Sequence, residues 1–197
     1  MRPHFSRGSE TDIAFVLSCP GKREKAEKHP AAGNTGRNLE RLLALLGPRL
    51  GMSTLTRTHI TIANAWAGVE YQSATGRSEA SDDEVKQGDN INRLADELRH
   101  VTKLIIFCGE KAKLACRELR ARKCLLQSVE VAFVSHLGSQ GLNKTVESDA
   151  TGQPIVAARE QRLAGRLDSL KVIQRENTNL RLQVAVGCLL ASRVPAR

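Results

Sequence analysis

Aromatic side chains are scarce in this chain: one Trp, one Tyr and four Phe among 197 residues. The core must therefore be built from Leu, Ile, Val and Ala, and Trp66 and Tyr71 can be placed one by one. Cysteine pairs are also missing. The five cysteines, Cys19, Cys108, Cys116, Cys124 and Cys188, are odd in number and show no C-x-x-C spacing. That argues against a zinc knuckle, a redox dithiol and a disulfide scaffold. Cys108 and Cys188 stand in apolar runs, the setting of buried free thiols. No apolar stretch reaches 18 residues and there is no signal-peptide h-region, so a cytoplasmic, reducing setting without membrane contact is expected. Neither a Gly-Lys-Ser/Thr P-loop ending nor a G-x-G-x-x-G is present, which removes the usual signals of a nucleotide-binding α/β protein.

What is abundant is positive charge. The formal net charge is +9, a balance that suits association with nucleic acid and says nothing of fold. Its distribution is uneven. Lys111, Lys113, Arg117, Arg120, Arg122 and Lys123 face Glu118 alone over 111–123, whereas Glu79, Asp82, Asp83, Glu84, Asp89, Asp96 and Glu97 crowd 79–97 against Lys86 and Arg93. One basic and one acidic face are expected.

The hydrophobic fraction of 41% is ordinary and no linker-like shift divides the chain, so residues 1–197 read as one domain. Four β-rich runs stand out: Ile13 to Leu17, His59 to Ala63, Val101 to Phe107 and Val129 to Val134. Helical patterns alternate with them. One begins near Gly36 and ends around Gly47-Pro48; a second covers 83–100 behind the capping run Ser81-Asp82-Asp83-Glu84, with Val85, Ile91, Leu94, Ala95 and Leu98 inward. A basic helix follows Gly109. Residues 67–82 and 137–153 read as loops, 155–176 as a helix, and 180–190 as strand or helix, which periodicity does not decide. The expected fold is α/β, a three-layer α/β/α sandwich around a four-stranded, mainly parallel sheet. Ligands of such sheets bind at the carboxyl edge, where Ser18 to Gly21, Asn64, Gly109 and His136 all fall.

The first strand runs into the longest of the polar loops. Leu17-Ser18-Cys19-Pro20-Gly21 is followed by Lys22, Arg23, Lys25 and Lys28, then by Gly33-Asn34-Thr35-Gly36-Arg37-Asn38-Leu39. Glycine among cations lets backbone N–H groups approach a phosphate, although the same composition serves a solvated surface loop. The spacing of Pro20-Gly21, Glu24, Pro30, Gly33 and Gly36 with Leu39, Leu42 and Leu43 resembles the first motif of the uracil-DNA glycosylase superfamily, nearest its iron–sulfur branch. Three further segments resemble its motifs in order: Ile62-Ala63-Asn64-Ala65, Ile105 to Gly109 with Ala112, and Ser135-His136 with Ser139, Gly141 and Leu142. The resemblance spans about residues 13 to 145.

What the resemblance implies is a monofunctional DNA glycosylase that needs no metal or cofactor. Asn64 would read the edge of a flipped base, and His136 would stabilise the departing base. Glu24 and Asn34, with Asn64, are the available orienters of water. Ser18, Cys19, Pro20, Gly21 and Ala31 would line the base pocket, with Trp66 or Tyr71 stacking from another side. Lys22, Gly33, Gly36, Arg37, Gly109, Lys111 and Ser139 would grip the DNA, and Leu142 or Leu137 would wedge into the duplex. The chain departs from the family in three ways. Neither Ser18 nor Cys19 is the usual water-activating carboxylate or amide; Ala31 replaces the stacking aromatic, and Gly21 a bulky excluding side chain; the four cluster cysteines have no counterpart. The lost volume implies a base larger than uracil, a 5-substituted pyrimidine such as the glucosylated hydroxymethylcytosine of some phages, and hence a role in defence. The alternatives are uracil excision in base-excision repair and a catalytically dead module that binds modified DNA. The expected partner is DNA, single- or double-stranded, with no membrane or obligate protein partner and a monomeric state.

Overall fold

The computed structural model describes residues 2–10 and 12–196. In chain order the elements are β1 (Phe5–Ser6), β2 (Ile13–Leu17), α1 (Lys22–Glu27), α2 (Gly33–Arg49), β3 (Thr61–Asn64), α3 (Gln72–Thr75), α4 (Asp82–Lys86), α5 (Gly88–Leu98), β4 (Leu104–Cys108), α6 (Glu110–Ala121), β5 (Glu130–Val134), α7 (Ser139–Thr145), α8 (Ala158–Leu163), α9 (Leu170–Ala191) and β6 (Val194–Pro195). The four expected strands are the central ones, paired in parallel in the order β3-β2-β4-β5. The sheet is larger than the expected four strands. Two-residue strands β1 and β6 add antiparallel edges, giving six strands in the order β1-β3-β2-β4-β5-β6. Two residues carry too little periodicity to be seen in a sequence.

β2 explains how the chain is layered. All five of its residues are buried, and successive side chains leave opposite faces. Ile13, Phe15 and Leu17 join a core with Leu39, Leu42, Leu43 and Leu46 of α2 and Leu182, Ala185, Val186 and Leu189 of α9. Ala14 and Val16 join the opposite core, with Ile91, Leu94 and Leu98 of α5 and Ala112, Ala115 and Leu119 of α6. The α2 leucines recur at i, i+3, i+4 and i+7, and each fully buried one contributes about 1.5–3 kcal/mol relative to exposure.

Several helix boundaries differ from the sequence reading, each for a local reason. The single helix expected over 83–100 is broken at Gln87, whose ψ of 136° is extended. Asn90 makes the break tolerable: its Nδ2 donates to the Val85 carbonyl (2.9 Å) and to that of Ala65 (2.7 Å). The helix expected over 155–176 is interrupted at Gly165, which adopts a left-handed φ of 95° that favours glycine. Ser169 then caps a new start at α9, so the undecided run 180–190 is helical. Short helices α1, α3 and α7 fold inside the three loops. Among the described residues no helix is long and apolar enough to cross a membrane.

Candidate active site

At the carboxyl ends of the parallel strands lies an open cleft of about 600 Å³, within the range of about 300–1,000 Å³ usual for ligand pockets. The strand ends are clamped together. Ala65 and Trp66 donate backbone N–H bonds to the Leu17 and Ser18 carbonyls, and Glu70 donates one to Pro20. Asn64 is buried at 2% exposure and lines the cleft, and its Oδ1 has no hydrogen-bond partner among the described residues. Such an orphan costs about 1–3 kcal/mol if left unpaired, and at the cleft wall it is an acceptor that water or a ligand in the cleft can pair. Its backbone is fixed from behind: Arg93 donates to the Asn64 carbonyl (2.9 Å) while also bonding Asn90 and Glu97.

His136 stands opposite, held by three glycines. A Cβ on Gly138 would lie 2.9 Å from His136 Nδ1, one on Gly141 2.6 Å from the His136 carbonyl oxygen, and one on Gly109 3.1 Å from His136 Cβ. The Gly138 N–H donates to Nδ1 (3.0 Å), so the neutral ring carries its proton on Nε2. Burial holds the imidazole below its ordinary value of 6.5, against the opposing pull of Glu79 and Glu24. The ring is thus a neutral donor at pH 7. Asn38 anchors the segment from α2, its Nδ2 donating to the Leu137 carbonyl (2.7 Å).

The cleft lining contains Glu24, Glu70 and Glu79 and no Lys or Arg. The three carboxylates differ in freedom. Glu24 accepts from the backbone N–H groups of Gly21 and Ala32, both at 3.0 Å, and so ties the loop into its shape. Glu70 is held well below the usual carboxylate range by Arg77, which bonds both of its oxygens (2.9 and 2.7 Å) and also reaches Glu84 (2.7 Å). Glu79 is exposed and accepts one bond, from Ser18 Oγ (3.1 Å). It is the carboxylate best able to engage a water. Burial pushes the Cys19 thiol up to about 11, so it is neutral at pH 7 and unsuited to act as a thiolate nucleophile.

Of the residues expected at the site, His136, Asn64, Glu24, Asn34, Ser18, Cys19, Gly21, Ala31 and Ser139 line this cleft. Others do not. Pro20 is buried outside the lining, and Trp66 packs on the α5–α6 side of the core with Ala63 and Ala65; strand alternation would put 66 on the face of 64, but β3 ends at Asn64 and the chain has left the sheet by Trp66. Tyr71 lies under the Lys25 ammonium, 5.7 Å away, outside the lining. The expected wedges fail outright: Leu142 is 1% exposed and Leu137 fully buried, both in the α2–α9 core. Lys111 is bonded to Asp82 at 2.6 Å, and the Gly109 N–H is spent on the Val134 carbonyl (2.9 Å), so neither is free for phosphate. Gly36 is buried against Ala31, where a Cβ would lie 1.9 Å from the carbonyl oxygen, so its role is close packing. Gly33 has a left-handed φ of 64°, and Arg37 bonds Asn34 Oδ1. Lys22 is exposed on α1.

Sequence reasoning missed Glu70 and Glu79, read only as part of a polar loop and an acidic run. Their signal was positional: a 16-residue loop at the carboxyl end of a strand is rarely idle. The cysteines face different ways, Cys108 into one core, Cys116 into the other and Cys188 to solvent. Among the described residues no three His, Cys, Asp or Glu side chains are grouped to hold a metal. No protein-family model matches the chain, and no curated protein matches it.

Proposed function

We propose that this protein is a monofunctional DNA glycosylase of the uracil-DNA glycosylase type, acting on a flipped, bulky 5-substituted pyrimidine. The observation that carries the reading is the convergence in one cleft of a neutral His136, whose Nε2 bears the proton, with the buried, unpartnered Oδ1 of Asn64. Cleavage of an N-glycosidic bond sends negative charge onto the base and positive charge onto the sugar. His136 Nε2–H donates to the developing anion at the base carbonyl. Asn64 pairs with the base edge. The carboxylates of the lining favour the cationic sugar, and Glu79, set by Ser18 Oγ, orients the attacking water and accepts its proton. It thereby fills the role for which Ser18 and Cys19 lack the chemistry.

The small residues support a large base. Ala31 lines the cleft, and a Cβ at Gly21 would meet only Glu24 Oε2, at 3.1 Å. A glucosylated hydroxymethylcytosine is the fitting member of this class, and excision of it from phage DNA would serve defence. The test is incubation without metal with uracil-containing DNA and with glucosylated phage DNA, followed by mass spectrometry of freed bases, beside His136→Ala and Asn64→Ala. Release of the modified base, lost in both variants, is expected. Release of uracil alone would overturn the large-base assignment, and tight binding without release would leave a DNA-binding module.

A further inference from the structure

A second cleft, of about 580 Å³, shares Ser139 with the first and is walled by α7, α8 and α9. Its lining holds Arg159 and Arg181 and no carboxylate. Arg181 is the unusual member. It occupies the inward stripe of α9 that runs Ile173, Asn177, Arg181, Ala185, where an apolar side chain would cost least. Asn177, one turn earlier, is bonded through both ends of its amide: it donates to the Val156 carbonyl (2.8 Å) and accepts from Gln161 Nε2 (3.2 Å). Arg181 is only 8% exposed, and its Nε donates to the Val146 carbonyl at 3.0 Å. Among the described residues no carboxylate is paired with it, and burial pulls its titration down without an opposing charge. A buried cation with no counter-ion is a standing cost unless a ligand supplies the charge.

We propose that the second cleft is a phosphate site, and that its ligand is the phosphodiester backbone of the strand whose nucleotide enters the first cleft. The identity of the strand rests on the glycosylase reading; the anion itself does not. Arg181 supplies the buried guanidinium, Arg159 a second at the rim, and Ser139, Asn143, Gln174 and Thr178 supply neutral groups that can donate to phosphate oxygens. Such contacts position the strand without reading sequence.

The test uses the full chain, labelled oligonucleotides that contain no modified base, and a salt series, with Arg181→Gln, Arg181→Met and Arg159→Gln. Each variant is expected to bind roughly tenfold more weakly at 0.1 M salt and to lower the slope of log affinity against log salt by about one. Inorganic phosphate should raise the melting temperature of the wild-type protein and not of Arg181→Met. Wild-type slopes in all variants, or protection by glucose in place of phosphate, would overturn the proposal. Should the Arg181 variants misfold, exposed Arg159 carries the test alone. Base release with unchanged slopes would sink the phosphate site and leave the glycosylase reading standing. Arginine-dependent slopes without release from any DNA would do the reverse.

Discussion

The two clefts that meet at Ser139 are of similar size and opposite sign. The first is lined by three carboxylates and a neutral imidazole, the second by two arginines. The proposed substrate is a polyanion, so on a chain of net charge +9 an acidic cleft is the arrangement that needs explaining. A field that favours developing positive charge on a sugar suits the first, and one that captures a phosphate suits the second. The two roles separate into rate and affinity.

The largest effect should come from the first cleft's donor. His136→Ala is expected to slow base release by about 10²–10³-fold while DNA affinity is kept, measured by single-turnover release and by binding anisotropy. A matching loss of affinity would break the division. Next is Glu79→Gln, expected to slow release by about 10²-fold, whereas Glu24→Gln should act mainly on stability, because both oxygens of Glu24 tie backbone N–H groups. An intact rate in Glu79→Gln would return the water to another residue.

Gly36→Ala should destabilise the fold by about 1–3 kcal/mol, read from the urea midpoint, since its Cβ must displace the Ala31 backbone that lines the first cleft. The second cleft should be unaffected, its phosphate protection unchanged. The smallest effects are in acid. His136 has a folded value depressed below 6.5, so the unfolded chain takes up the proton first and stability falls as pH drops below 6.5. Glu70 and Glu84 are held down by Arg77, Glu84 to about 2, so their contribution is present above 4.5 and is lost as pH falls toward 2. The second cleft holds no carboxylate and adds no such limb. Arg77→Gln should reduce the lower limb in acid denaturation curves and leave the upper one, which His136→Ala should reduce to the share of His100, also depressed by burial.

How much of this was legible in the chain varies by region. The first cleft is anchored at strand ends, by Leu17, Ser18 and Asn64 and by His136 just past Val134, and strand ends follow from β-rich runs that can be read directly. Gly109 and Gly141 are visible in the motif spacing, though only packing reveals that they and Gly138 shape the ring's seat. The wedge role that the resemblance implies for Leu142 does not fit, because a seven-residue helix, α7, turns it into the core. Lys111 was misread because a basic helix suggests free cations, whereas Asp82 of α4 lies within reach. The second cleft was not legible at all. Arg181 interrupts the apolar stripe of α9, and that interruption also left 180–190 undecided between strand and helix.

The sequence by itself determined the α/β alternation, the central parallel strands, the edge at which a site must lie and the presence there of His136 and Asn64. These depend on periods of 2 and 3.6 and on local turn chemistry, which neighbouring residues carry between them. Tertiary structure decided which carboxylates face the site, which cations are already paired and which guanidinium is buried without a counter-ion. Those are properties of approach between segments far apart in the chain, such as Ser18 with Glu79 and α9 with the Val146 carbonyl. Charge acts through distance and burial in space, and neither can be read from spacing along the chain.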